Sequence, residues 1–226
     1  MCLVDSKKKL SCLTFCPKLG EKIDEHILKQ SKLEGETLQQ LLALEKEFRE
    51  HNAVIKSELL TQKELISRMW VLSQRYILIT STGTCCKFPE IFAGPAEEII
   101  LQEYCEKLKA LKTSNCRISV SLKDLRISCR LFETLCSQLD MNLKTPFIIG
   151  DAYHKPLAFF IELVSDLFKY FHAWLLKLKY NSQLLDPYKA EGMEHYKTLI
   201  EPSEEFEEYL NMGLTYCKCL KPKAAC

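Results

Sequence analysis

Glycine and proline are scarce in this sequence, at seven and eight of 226 residues. No Asn-Gly or Asp-Gly pair is present to turn a β-hairpin, so a strand-rich fold lacks its usual corners and an all-α fold is the expectation. An excess of one charge is also missing. Lys plus Arg at 31 against Asp plus Glu at 30 leaves a formal charge of +1, which supplies no global attraction for nucleic acid or anionic membrane, and any such binding would have to be local. The first residues, Met1-Cys2-Leu3-Val4-Asp5-Ser6-Lys7-Lys8-Lys9, lack the apolar run of a signal peptide, and the expected location is the cytoplasm or nucleus. There twelve cysteines are read as thiols, with Cys105, Cys129 and Cys136 as small apolar core residues.

Motifs for chemistry are absent in the same way. Neither G-x-x-x-x-G-K-[ST] nor G-x-G-x-x-G occurs, and no G-x-S-x-G elbow presents a serine nucleophile. Cys12 and Cys16 have C-x3-C spacing without a second paired cluster, a weak zinc signal. Asp151-Ala152-Tyr153-His154 is one isolated approach to the acid-x-x-His pattern of di-metal bundles, and Glu162 with Asp166 reads as a solvated i, i+4 pair. No cofactor or metal is expected, and the chain is read as no enzyme.

What the sequence does contain is helical pattern. Three-four steps from Leu38 give Leu38, Leu41, Glu45, Phe48, Asn52, Ile55, Leu59, Gln62, Ile66, Met69, Ser73 and Tyr76, a heptad seam with polar interruptions. Leu42, Leu60, Leu65, Trp70, Leu72 and Ile77 widen it. An unbroken helix over Glu36–Ile79 would be roughly 65 Å long, more than a compact domain of this size covers, so part of it is expected to project or to be covered by a partner chain. Phe48, Ile55, Leu59, Ile66, Met69 and Trp70 are the candidate partner contacts. A shorter helix precedes it over Glu21–Leu33. Gly35 either separates the two or is absorbed at a cost of about 1 kcal/mol.

Thr80 to Gly94 reads as the main loop, with Cys85 and Cys86 in it, and Pro95 as the first residue of the next helix. That helix is expected to stop at Thr113-Ser114-Asn115, and Cys116–Val120 briefly alternates. A second helix then starts at Ser121, with Leu122, Leu125, Cys129, Phe132, Cys136, Leu139 and Leu143 in register. Pro156–Leu178 carries the densest apolar load. Glu162, Asp166, Lys169, His172 and Lys177 within it argue for a bundle helix over a transmembrane one, since each charge at a bilayer centre costs on the order of 3 kcal/mol. A weaker helix over Tyr188–Ile200 and a short acidic one from Pro202 to Leu210 follow.

The expected fold is an elongated antiparallel helical bundle with one long coiled-coil-like helix. Residues 1–20 form a flexible arm, 21–212 the bundle domain and 213–226 a Cys/Lys-containing tail. The function read from this pattern is a scaffold or adaptor subunit that binds other proteins by helix packing, self-association included. The alternative is a peripheral membrane protein held by acylation at Cys217, Cys219 and Cys226 beside the tail lysines.

Overall fold

In the computed structural model, which describes residues 17–81 and 89–220, the chain is helical and holds no strand among the described residues. The first helix, α1 (Pro17–Ser81), is continuous over 65 residues, roughly 98 Å at 1.5 Å per residue. Gly35 is absorbed into it on an exposed face. The second, α2 (Pro89–Gln138), runs 50 residues back along it. Polar contacts show the antiparallel sense, because the α2 partner falls as the α1 number rises: Gln40 with Ser128, His51 with Ser121, Glu58 with Arg117, Gln62 with Ser114, Tyr76 with Glu97.

Two expectations are corrected here. Pro95 lies inside α2, which begins at Pro89, and α2 does not stop at Thr113-Ser114-Asn115. Ser114 and Asn115 are interior, while Thr113 faces solvent. Gln62 Nε2 donates to Ser114 Oγ and Asn115 Oδ1, both at 2.9 Å. Asn115 Nδ2 donates to Tyr196 Oη at 3.1 Å, and that hydroxyl donates to Gln62 Oε1 at 3.0 Å. Each polar group that burial strips of water is thereby satisfied by another.

After α2 the chain turns through a one-turn helix, α3 (Pro146–Ile149). Thr145 caps it and also donates to Glu34 Oε1 at 2.7 Å, while Asp140 N donates to Gln30 Oε1 at 3.1 Å, so side chains of α1 tie this connection down. Gly150 has φ 77°, and a Cβ there would meet His154 O at 2.7 Å and Pro156 N at 2.8 Å, leaving glycine as the residue that fits. The isolated Asp151-x-x-His154 pattern is a local turn, in which Asp151 Oδ1 accepts from the amides of Tyr153 and His154 and Oδ2 meets His154 Nδ1 at 2.8 Å. Hydrogen bonding to His154 holds the Asp151 carboxyl below its usual range.

The bundle is closed by α4 (Leu157–Gln183), α5 (Ala190–Leu199) and α6 (Glu204–Cys219). Pro156 and the apolar face of α4 explain its placement: Leu157, Phe160, Leu163, Val164, Leu167, Phe171, Leu175 and Leu178 are all buried. The charged side chains noted in the sequence fall on its outer side, and no described helix is long and apolar enough to cross a membrane. α5 and α6 together form the fourth arm, returning down the groove between α1 and α4. Ion pairs from Lys56 to Glu207 and from Lys218 to Glu45 fix α6 antiparallel to α1. At Gly213, α6 packs directly against Leu163 of α4, and an added Cβ would run into that side chain.

This arrangement gives the long seam an intramolecular cover. Phe48, Ile55, Ile66 and Met69 are between 0% and 5% exposed and belong to one continuous core that takes in α1, α2, α4, α5 and α6. They are corrected from partner contacts to core. The physical reason is the length of α2: an unbroken 50-residue partner absorbs the heptad surface that two short helices would have left bare. Near the start of α1 five consecutive side chains, Glu25, His26, Ile27, Leu28 and Lys29, all face solvent.

Candidate functional site

A large concavity lies where the fourth arm breaks. α5 ends at Leu199, Glu201-Pro202 interrupts the helix, and Ser203 restarts it by accepting from Phe206 N at 3.3 Å. Proline after an exposed glutamate stops the first helix, and a serine N-cap followed by Glu204, Glu205 and Glu207 suits the positive end of the second. The break interrupts the fourth arm beside α1. Beneath it opens a cavity of about 550 Å³ bordered by Lys56, Leu59, Leu60, Lys63 and Ser67 of α1 and by Lys197, Ile200, Glu201, Pro202 and Glu207. It continues into a narrow cleft floored by Ile55, Tyr170, Phe171, Trp174 and Phe206.

Each wall is fixed from below. Trp174 Nε1 donates to Leu199 O at 3.0 Å, so the indole satisfies a carbonyl at the end of α5 and has its plane set by that bond. The Tyr170 and Phe206 rings stack with centroids 3.4 Å apart, and Phe206 meets Phe171 edge-on at 5.2 Å. Lys56 closes one end through its 2.9 Å ion pair with Glu207. Lys197 lies 5.4 Å above the Trp70 ring, a cation–π contact at the other end. Leu60 is 73% exposed. The result is an apolar trough whose rim carries Lys56, Lys63 and Lys197 beside Glu201 and Glu207, with Lys56 already paired to Glu207.

Of the sequence candidates, Leu59 lies half-buried in this trough and Ile55 is part of its floor, while Trp70, half-buried under Lys197, is not among its lining residues. Leu60, Lys63, Lys197, Ile200 and Pro202 carry no site signal in the sequence. Leu60 reads there as widening the seam, whereas it is exposed on the trough.

A second concavity, about 470 Å³, opens between α1 and α2 beside Glu47, Glu50, His51, Arg117, Val120, Ser121 and Asp124. His51 Nδ1 meets Ser121 Oγ at 2.8 Å, a serine–imidazole pair. Catalytic use of such a pair needs a third group to orient the ring, but His51 Nε2 is buried with no hydrogen-bond partner and the ring packs edge-on to Phe171 at 4.9 Å. Burial pulls the His51 pKa down from 6.5 to about 4, so the ring is neutral near pH 7. It behaves as a core residue. Among the described residues, no group of three or more His, Cys, Asp or Glu is placed to hold a metal ion.

The tail reading changes as well. α6 continues to Cys219, and Gly213, Leu214 and Cys217 are buried in it, so the boundary expected at residue 213 falls inside a packed helix. Cys217 is 1% exposed, and burial raises its thiol pKa to about 12, which removes it from the candidates for acylation. Cys219 is exposed. Cys226, the Cys12 and Cys16 pair and the Cys85-Cys86 pair lie outside the described residues. The sequence matches no known protein family, and neither curated proteins nor solved structures yield a match.

Proposed function

We propose that this chain is a non-catalytic helical adaptor, a subunit of a multiprotein assembly in the cytoplasm or nucleus that acts by protein–protein contact. The observation that carries the reading is the trough at the α5–α6 break, with an exposed Leu60, a fixed Trp174 and the Lys56, Lys63 and Lys197 rim. Fixed aromatic side chains around an open apolar recess are the composition from which binding hot spots are made. The six described cysteines are all free thiols, which suits a reducing compartment.

The experiment is affinity capture of the full chain from cells against a Leu60→Asp, Lys63→Glu variant. Both positions are exposed, so the substitutions leave the core intact, as Ile55→Asp would not. Loss of specific partners by about tenfold or more, with an unchanged melting curve, supports the adaptor reading. An unchanged partner set refutes a role for the trough.

A further inference from the structure

The outer face of α2 carries an unpaired basic strip. At 3.6 residues per turn, Cys116, Val120, Ile127 and Leu131 fall within an arc of roughly 60°, and all four are exposed, the three aliphatic ones at 54%, 69% and 50%. Lys109, Lys112, Lys123, Arg126 and Arg130 share or border the arc. All five are exposed, and none makes an ion pair with a described residue. The cations span about 32 Å of helix. Thr113, Val120, Ile127 and Thr134 recur at seven-residue intervals, the β-branched spacing of a coiled-coil a position, on the face turned away from the core. A chain of net charge +1 has thus collected five uncompensated cations and a heptad seam on one side of one helix.

The width of the strip decides what fits it. Towards α1 it is bordered by Asp124, which lines the same concavity as Val120 together with Glu47 and Glu50. Towards α4, Lys179 donates to Ser119 Oγ at 2.8 Å, which identifies that edge, and Glu133 lies on it two heptads further along. A bilayer surface or a nucleic-acid duplex is wider than this and would press its phosphates against those carboxylates. A single helix about 10 Å across would not. Bare aliphatic side chains give nothing to a phosphate backbone but do pack against a helix seam.

We propose that the Lys109–Thr134 face of α2 docks an acidic amphipathic helix of a partner protein. Its apolar seam lies on Val120, Ile127 and Leu131, and its carboxylates lie opposite Lys112, Lys123, Arg126 and Arg130. This surface is separate from the trough, since α2 contacts α1 and α4 while the trough sits on the fourth arm.

The test uses the full chain and a labelled helical peptide of about 28 residues with an Ile/Leu seam flanked by Glu, beside a scrambled peptide of the same composition, read by fluorescence anisotropy. Binding of the patterned peptide alone is expected. It should weaken about tenfold or more in a Lys123→Glu, Arg126→Glu, Arg130→Glu variant and on raising salt, weaken comparably in Ile127→Asp, and survive in the Leu60→Asp, Lys63→Glu variant. Equal binding of the scrambled peptide, or indifference to both sets of α2 substitutions, overturns the proposal. So does tighter binding to phosphatidylserine-containing vesicles or to duplex RNA that is lost in the same variants, which would give the strip to a phosphate surface. Salt-sensitive self-association abolished by those substitutions would assign it to the exposed Glu204, Glu205 and Glu208 of a second copy and overturn the partner reading too.

Discussion

Lowering the pH from about 7.5 to about 5 protonates a free imidazole, but His51 is shut away from water. Its ring is 2% exposed and burial holds its folded pKa near 4 against 6.5 for the unreacted side chain. Between those values the unfolded chain binds a proton that the folded chain refuses. Stability from this group is therefore complete above pH 6.5 and is lost as pH falls through 4. Integrating the linkage relation from about pH 7.5 to about pH 5 gives a loss of about 2 kcal/mol, a sizeable part of the roughly 5–15 kcal/mol that a domain has in total. Urea unfolding across that range should be run on the wild type and on His51→Gln, whose amide keeps a hydrogen bond within reach of Ser121 but does not titrate. All other groups titrate alike in both proteins, so the wild type should lose about 2 kcal/mol more than the variant over the interval. Parallel stability curves, or an imidazole resonance of His51 titrating near 6.5 in the folded protein, would refute the reasoning.

Other consequences are equally direct. Gly35 has nothing within 4 Å of an added Cβ, so Gly35→Ala should stabilise by about 0.5–1 kcal/mol in thermal melts. Gly213→Val forces a branched side chain into Leu163, itself 2% exposed, and should cost at least about 2 kcal/mol by denaturant titration. Tyr196→Phe removes the hydroxyl shared by Gln62 and Asn115 and should lower stability by about 1–3 kcal/mol, because Gln62 Oε1 and Asn115 Nδ2 stay buried and lose that partner. In peptide-mapped alkylation of the native protein, Cys105, Cys116 and Cys219 should label rapidly while Cys129, Cys136 and Cys217 label only on unfolding. For the buried three, burial pushes the thiol pKa up to about 12.

The long first helix and the apolar face of α4 were legible because both are written in local periodicity. The interruption assigned to Thr113-Ser114-Asn115 was wrong for a physical reason: polar residues in a helix core look like a loop until their partners are known, and here the partners are Gln62 on α1 and Tyr196 on α5. Pro95 carried a true helix-start preference, but Pro89, six residues earlier, already supplies the start. The trough was invisible for the same long-range reason. Leu60 and Pro202 are 142 positions apart in the numbering and become neighbours only where the fourth arm breaks at Glu201-Pro202. Leu131 reads in the sequence as widening the apolar stripe through Leu122, Leu125 and Cys129, but it is exposed with Val120 and Ile127, because that core heptad occupies the other side of α2.

Two helices patterned in heptads are nearly periodic objects, and a nearly periodic pair can slide. Shifting α2 along α1 by seven residues, about 10 Å of travel, would exchange apolar contacts for other apolar contacts along most of the interface. Such a slipped dimer of helices would be a close competitor for the native one. The Gln62, Ser114, Asn115 and Tyr196 cluster breaks that translational degeneracy. It occurs once along the rod, and any slip buries its amides against hydrocarbon at a few kcal/mol apiece. Four polar side chains thus act as the detent of a vernier, selecting one of several equally spaced alignments that the hydrophobic pattern alone would leave almost equal.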